Sequence, residues 1–111
     1  MEQSIRSDPK KMTVRDEKYL SWLRTQPCVY PDCGRMDSEY MSVVPAHQSF
    51  MGRGVSIKPP DHYALPLCAD DHAKEHFLGV ETFWQGIDRR MLIIEHLIRY
   101  IRIPKKYQVV K

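Results

Sequence analysis

Between Asp16 and Arg24 the apolar residues Tyr19, Leu20, Trp22 and Leu23 fall on one side of a helical turn, with Asp16 and Glu17 at its positive end. This pattern predicts a short amphipathic helix stopped by Pro27. The polar segment before it, residues 1–15, has no helical period and contains Pro9, so it is expected to be a mobile arm. Residues 28–34 have turn composition. Two short strands are expected at 41–47, where Pro45 suits an edge, and at 62–67. The loop between them (QSFMGRGVSIKPPD) carries two Gly, two Pro and two cations. At Cys68 the pattern turns helical, with acids in the first turn and Gly79 at the end. Val80–Gln85 reads as a further turn, and Asp88 as the N-cap of a last helix over Arg89–Arg102. In that helix Met91, Ile94, Ile98 and Ile101 are spaced 3, 4, 3 and predict a core-facing stripe, widened by Leu92, Ile93 and Leu97. Pro104 opens a basic tail, 104–111.

Length places these elements in one domain, 16–103, because 111 residues support a single small core. No apolar run approaches the ~18–20 residues of a membrane span, so no membrane role is expected. The first residues contain no apolar h-region, and three cysteines cannot pair completely, so a reducing cytoplasm is the expected location. The formal charge of +3 is uneven: residues 89–111 hold seven Lys or Arg against Glu95, or +6, which leaves −3 for the first 88. Acids also gather on the helix after Cys68, as Asp70, Asp71 and Glu75.

Five histidines beside three cysteines direct the chemistry toward metal binding. Cys28-x4-Cys33, followed by Gly34, is the form of a zinc knuckle. Cys68-x3-His72-x3-His76 adds a third thiol and two imidazoles one turn apart on a helix. With His47 ending the first strand, the order is strand, loop, strand, helix. That order suits a nuclease, in which a metal-free imidazole takes a proton from water while a helix-held divalent cation binds the scissile phosphate.

The ordered series Tyr19-Leu-Ser-Trp-Leu-Arg24, Pro27-Cys28, Cys33-Gly34, Ala46-His47, Gly52-Arg-Gly54, Lys58, Asp61, Pro66-Leu-Cys68, Asp71-His72, His76, Gly79, Phe83-Trp84 and Gly86-Ile-Asp88 resembles the HNH, or ββα-metal, endonucleases. It is most similar to the RecA-dependent recombination-enhancement nucleases of phages and prophages, over roughly residues 19–88. The resemblance implies an α+β fold: a small zinc-stapled ββα-metal core with flanking N- and C-terminal helices. It further implies that His47 is the general base, that His72 and His76 hold a catalytic Mg²⁺ or similar ion, and that Cys28, Cys33 and Cys68 hold structural zinc. Asp61 stands near a position where other members carry Asn. The implied partner is DNA, RecA-coated DNA included, in a bacterial host cell.

Three residues depart from the family's pattern. Ala46 stands where a metal ligand often precedes the base, Gln48 where some relatives have a second His, which leaves His47 as either base or metal ligand, and Asp71 where a second helix-side Cys is common. The fourth zinc ligand is therefore His72 or Asp71, and the chemistry of a thiolate site favours imidazole. Arg53 and Lys58, in the loop between the strands, are candidate DNA contacts. His62, His96, Trp22, Phe83 and Trp84 read as structural. The competing expectation is a non-catalytic zinc-binding module for DNA or protein, with a degenerate nuclease site.

Overall fold

A two-stranded antiparallel hairpin organises the computed structural model, which describes residues 14–50 and 59–104. The chain is α+β. Helix α1 (Glu17–Leu23) leads into strand β1 (Val43–His47). After the interstrand loop a 3₁₀ turn over Asp61–Tyr63 opens strand β2 (Ala64–Cys68). Helices α2 (Ala69–Leu78), α3 (Val80–Phe83) and α4 (Arg89–Arg102) follow. Arg53 and Lys58, the first 13 residues and the tail from Lys105 lie outside the described residues. Val14 and Arg15, which the sequence pattern assigns to the arm, are tied down: the Asp61 N–H donates to Val14 O at 2.9 Å, and Arg15 bonds the Asp61 side chain.

Helices α1, α2 and α4 each start at a side-chain cap. Asp16 accepts from the Tyr19 N–H, Cys68 from the Asp71 N–H, and Asp88 from the Met91 N–H. Gly79 ends α2 at a φ of +90°, a left-handed backbone that favours glycine. Pairing runs Val43↔Cys68 at one end of the hairpin to His47↔Ala64 at the other. Alternation then sends Ala46, Leu65 and Leu67 to one face, where Phe83, Trp84 and Ile93 close the main core. Ala64 lies on the opposite face, in a second cluster with Tyr19, Leu20, Trp22 and Leu23 of α1. Trp22, Phe83 and Trp84 are buried, as the sequence pattern predicts.

Helix α4 corrects one expectation. Met91, Ile94, Ile98 and Ile101 are exposed by 49%, 47%, 47% and 73%, so that stripe does not face the core. The helix is buried instead through Ile93 and His96, with Leu92, Leu97 and Tyr100 partly covered. The reason is chemical: His96 completes the inward stripe as a neutral, hydrogen-bonded ring, a role that an apolar-only pattern does not register. Its Nδ1–H donates to Leu92 O at 2.8 Å, the ring meets Trp22 edge-on at 6.3 Å, and burial lowers its pKa.

Candidate metal centres and active site

Two groups of side chains that could hold a metal occur among the described residues, and α2 contributes to both. The first is Cys28, Cys33, Cys68 and Asp71; the second is His72, Glu75 and His76. Within each group the ligand atoms lie within 4.8 Å of one another.

The thiol group forms at the Val43/Cys68 end of the hairpin. Residues 28–34 make a tight loop: the Gly34 N–H returns to Cys28 O at 3.2 Å, with Asp32 and Gly34 both at positive φ. The Val29 N–H hooks this loop to Pro66 O on β2 at 2.9 Å, and Tyr30 stacks on Phe83 with centroids 4.2 Å apart. Cys33 Sγ lies 3.9 Å from Cys68 Sγ, and Cys28 Sγ lies 3.2 Å from Asp71 Oδ2. Tetrahedral zinc with Zn–S of ~2.3 Å places its sulfurs about 3.8 Å apart, so the donors fit such an ion. Burial raises the pKa of the Cys28 and Cys68 thiols, so metal binding here must displace protons.

Asp71, and not His72, joins the cysteines. Helical geometry overrules the ligand preference: Asp71 and Glu75, four apart, share the inward face, while His72 and His76 share the next face outward. His72 Nε2 and His76 Nε2 approach to 3.2 Å, a separation that one ion bound at ~2.0–2.1 Å by each nitrogen would produce. Burial, and then the neighbouring His76, lower the pKa of His72, favouring the neutral imidazole that ligates metal.

Glu75 is the ligand candidate that His-and-Cys spacing overlooks, although its place among the helix acids is a signal. It is buried, and its Oε2 accepts from Trp84 Nε1 at 2.7 Å and from Gln48 Nε2 at 2.9 Å. Gln48 is fully buried; it also donates to Ala46 O and accepts from Arg89 Nη1 at 3.0 Å. No local sequence signal marks Gln48 as a bracket, because its three partners come from three separate segments. Ala46 packs in the main core and offers no ligand atom.

His47 ends β1 at the hairpin end remote from the thiols, directly before Gln48. Its Nε2 lies 2.8 Å from Oδ1 of Asp61; Oδ1 also accepts from Arg15 Nη1 (2.9 Å), and Oδ2 accepts from the Asp16 N–H (2.6 Å). Burial by itself would raise the Asp61 pKa, but hydrogen bonds from His47, Asp16 and Arg15 outweigh it and hold the carboxyl below the ordinary range. An ionised Asp61 only accepts, so Nε2 of His47 carries a proton, and in the neutral ring the lone pair is then on Nδ1. The His47 side chain is about one-third exposed, open enough to meet solvent. His62 bonds Asp16 Oδ2 at 2.8 Å and braces the segment that carries Arg15.

A family match described as a protein of unknown function (DUF968) spans residues 3–106. Neither a curated protein nor a solved structure matches the chain. No helix among the described residues is long and apolar enough to cross a membrane.

Proposed function

We propose that this chain, which belongs to the DUF968 family of proteins of unknown function, is a metal-dependent DNA endonuclease of the HNH, or ββα-metal, type. The observation that supports this reading is a pair of contacts made by neighbouring residues at one hairpin end. His47 is paired with Asp61 there, and the next residue, Gln48, holds Glu75 of the His72/Glu75/His76 group. The thiol group is separate, at the other end, which suits a structural zinc distinct from a catalytic ion.

His72, His76 and Glu75 would hold the catalytic cation, Mg²⁺ or a similar ion. Such an ion would supply charge stabilisation for the scissile phosphate and the leaving oxygen. His47 Nδ1 takes the proton of the attacking water, and Asp61 keeps the ring in the required tautomer and stabilises the imidazolium formed. Gln48 and Trp84 fix the Glu75 carboxylate by two hydrogen bonds. With no base-reading motif evident in the sequence, cutting should be weakly specific for sequence or directed by DNA structure. A place in phage or prophage recombination, on RecA-coated DNA, rests on the sequence resemblance alone.

Plasmid nicking with Mg²⁺ or Mn²⁺ tests this reading. Wild type should nick, while His47→Ala and His72→Ala should lose most activity, and elemental analysis should find two metal ions per chain. Equal nicking by wild type and His47→Ala would remove His47 from the mechanism. No nicking under any metal or RecA condition would favour a non-catalytic zinc-binding module.

A further inference from the structure

Phe50, three residues beyond His47, carries a guanidinium pair. Cζ of Arg89 lies 4.3 Å, and Cζ of Arg90 4.2 Å, from the centroid of its ring. Tyr63 meets the same ring edge-on at 5.8 Å and limits its movement. By the sum of the two distances, the charges are at most 8.5 Å apart. Among the described residues no carboxylate lies within ion-pair distance of either guanidinium. Two neighbouring cations repel each other, and a single aromatic ring does not neutralise them. Glu75 and Glu81 act on Arg89 at longer range, so the uncompensated positive charge lies chiefly at the exposed Arg90, where an anion can be met.

Its location says which anion. Arg89 Nη1 donates to Gln48 Oε1 at 3.0 Å, and Gln48 Nε2 donates to Glu75 Oε2 at 2.9 Å. One buried glutamine thus links the guanidinium pair to the His72/Glu75/His76 group. Stacking on Phe50 restrains the guanidinium planes while leaving N–H edges for oxygens, and this planar fork suits phosphate better than a lysine would. Arg90 is exposed, so phosphate reaches it without repacking. The span admits one phosphate gripped by both residues, or two successive phosphates gripped one each.

We infer that Arg89 and Arg90, stacked on Phe50, form a phosphodiester clamp that docks the nucleic-acid backbone beside the His72/Glu75/His76 group. The clamp rests on the nuclease reading for its ligand. It is independent of base sequence, since phosphate contacts position a strand without reading it.

Fluorescence anisotropy tests the clamp, using the zinc-loaded full chain and a labelled oligonucleotide, in Ca²⁺ and across a KCl series. Arg90→Gln should weaken binding equally for unrelated sequences and reduce the slope of log K against log[salt] by about 1; Arg89→Gln/Arg90→Gln should reduce it by about 2. Phe50→Leu should weaken binding but keep the slope, because both charges remain while their preorganisation is lost. Arg24→Gln, an equal charge loss on α1, should change neither. Circular dichroism melts should match wild type for Arg90→Gln, whose side chain is exposed. If Arg90→Gln keeps wild-type affinity and slope while wild type nicks DNA in a His72-dependent way, the clamp is wrong and the nuclease reading stands. If wild type binds no DNA at any salt concentration, both fall.

Discussion

Replacing Asp61 by Asn keeps the side-chain shape and removes the charge, so it isolates what the carboxylate contributes. Asp61 is 1% exposed and accepts from Arg15, the Asp16 N–H and His47 at 2.9, 2.6 and 2.8 Å. A hydrogen bond to a charged group contributes about 1.5–3 kcal/mol. The side chains of Arg15 and His47 are 48% and 32% exposed, so water compensates much of what those two partners lose. The Asp16 N–H loses its charged acceptor, and the Asn amide necessarily turns a donor toward one of the three. The net cost is about 2 kcal/mol, which lowers the melting temperature of a domain this size by roughly 8–16 °C. The Asp61 pKa is depressed on folding, so its stabilisation is present above the ordinary carboxylate pKa of about 4 and disappears as pH falls through the folded value. Thermal melts of both proteins by circular dichroism between pH 3 and pH 8 should therefore show a gap that is widest near neutrality and narrows in acid. The gap is the readout, because acid strips metal from thiolates in both proteins alike. Melting temperatures equal at neutral pH, or a gap unchanged in acid, would refute the reasoning.

Three further outcomes follow from the same contacts. Removing metal from the thiol group should cost about 4 kcal/mol relative to a thousandfold excess of zinc over its Kd, or roughly 15–30 °C in melting temperature; an unchanged melt after verified metal removal would sink the structural role of Cys28, Cys33, Cys68 and Asp71. Tyr19 buries a hydroxyl with no hydrogen-bond partner among the described residues, so Tyr19→Phe should melt at or above wild type, with a gain of up to about 1 kcal/mol. A loss greater than that would show that the hydroxyl is satisfied. His96 is held neutral by burial, so the unfolded chain takes its proton first and stability should fall as pH drops below about 6.5; His96→Gln should flatten the dependence of melting temperature on pH between 7.5 and 5.5, and an unaltered slope would count against it.

Much of the fold is legible locally. The caps Asp16 and Asp88, the termination at Gly79 and the bounds of α4 all follow from residues adjacent in sequence. The candidate ligands Cys28, Cys33, Cys68, His72 and His76 are legible too, from type and spacing. The α4 stripe faces outward for an equally local reason: apolar periodicity marks a helix but not the side that packs, and His96 is buried where Ile98 is exposed.

Residue types and short-range spacing thus determined which elements form and which side chains can ligate metal, because both depend on interactions within a few residues. Tertiary structure alone decided how the ligands divide. Choosing Asp71 over His72 required the helix phase against the knuckle 43 residues earlier in sequence, as the Cys28–Asp71 contact shows. The pairing of His47 with Asp61, the Gln48 bracket between Glu75 and Arg89, and the stacking of Arg89 and Arg90 on Phe50 likewise join segments whose approach no local pattern encodes. Their physical basis is the packing of α2, α3 and α4 over the hairpin, which brings these side chains within hydrogen-bond distance of one another.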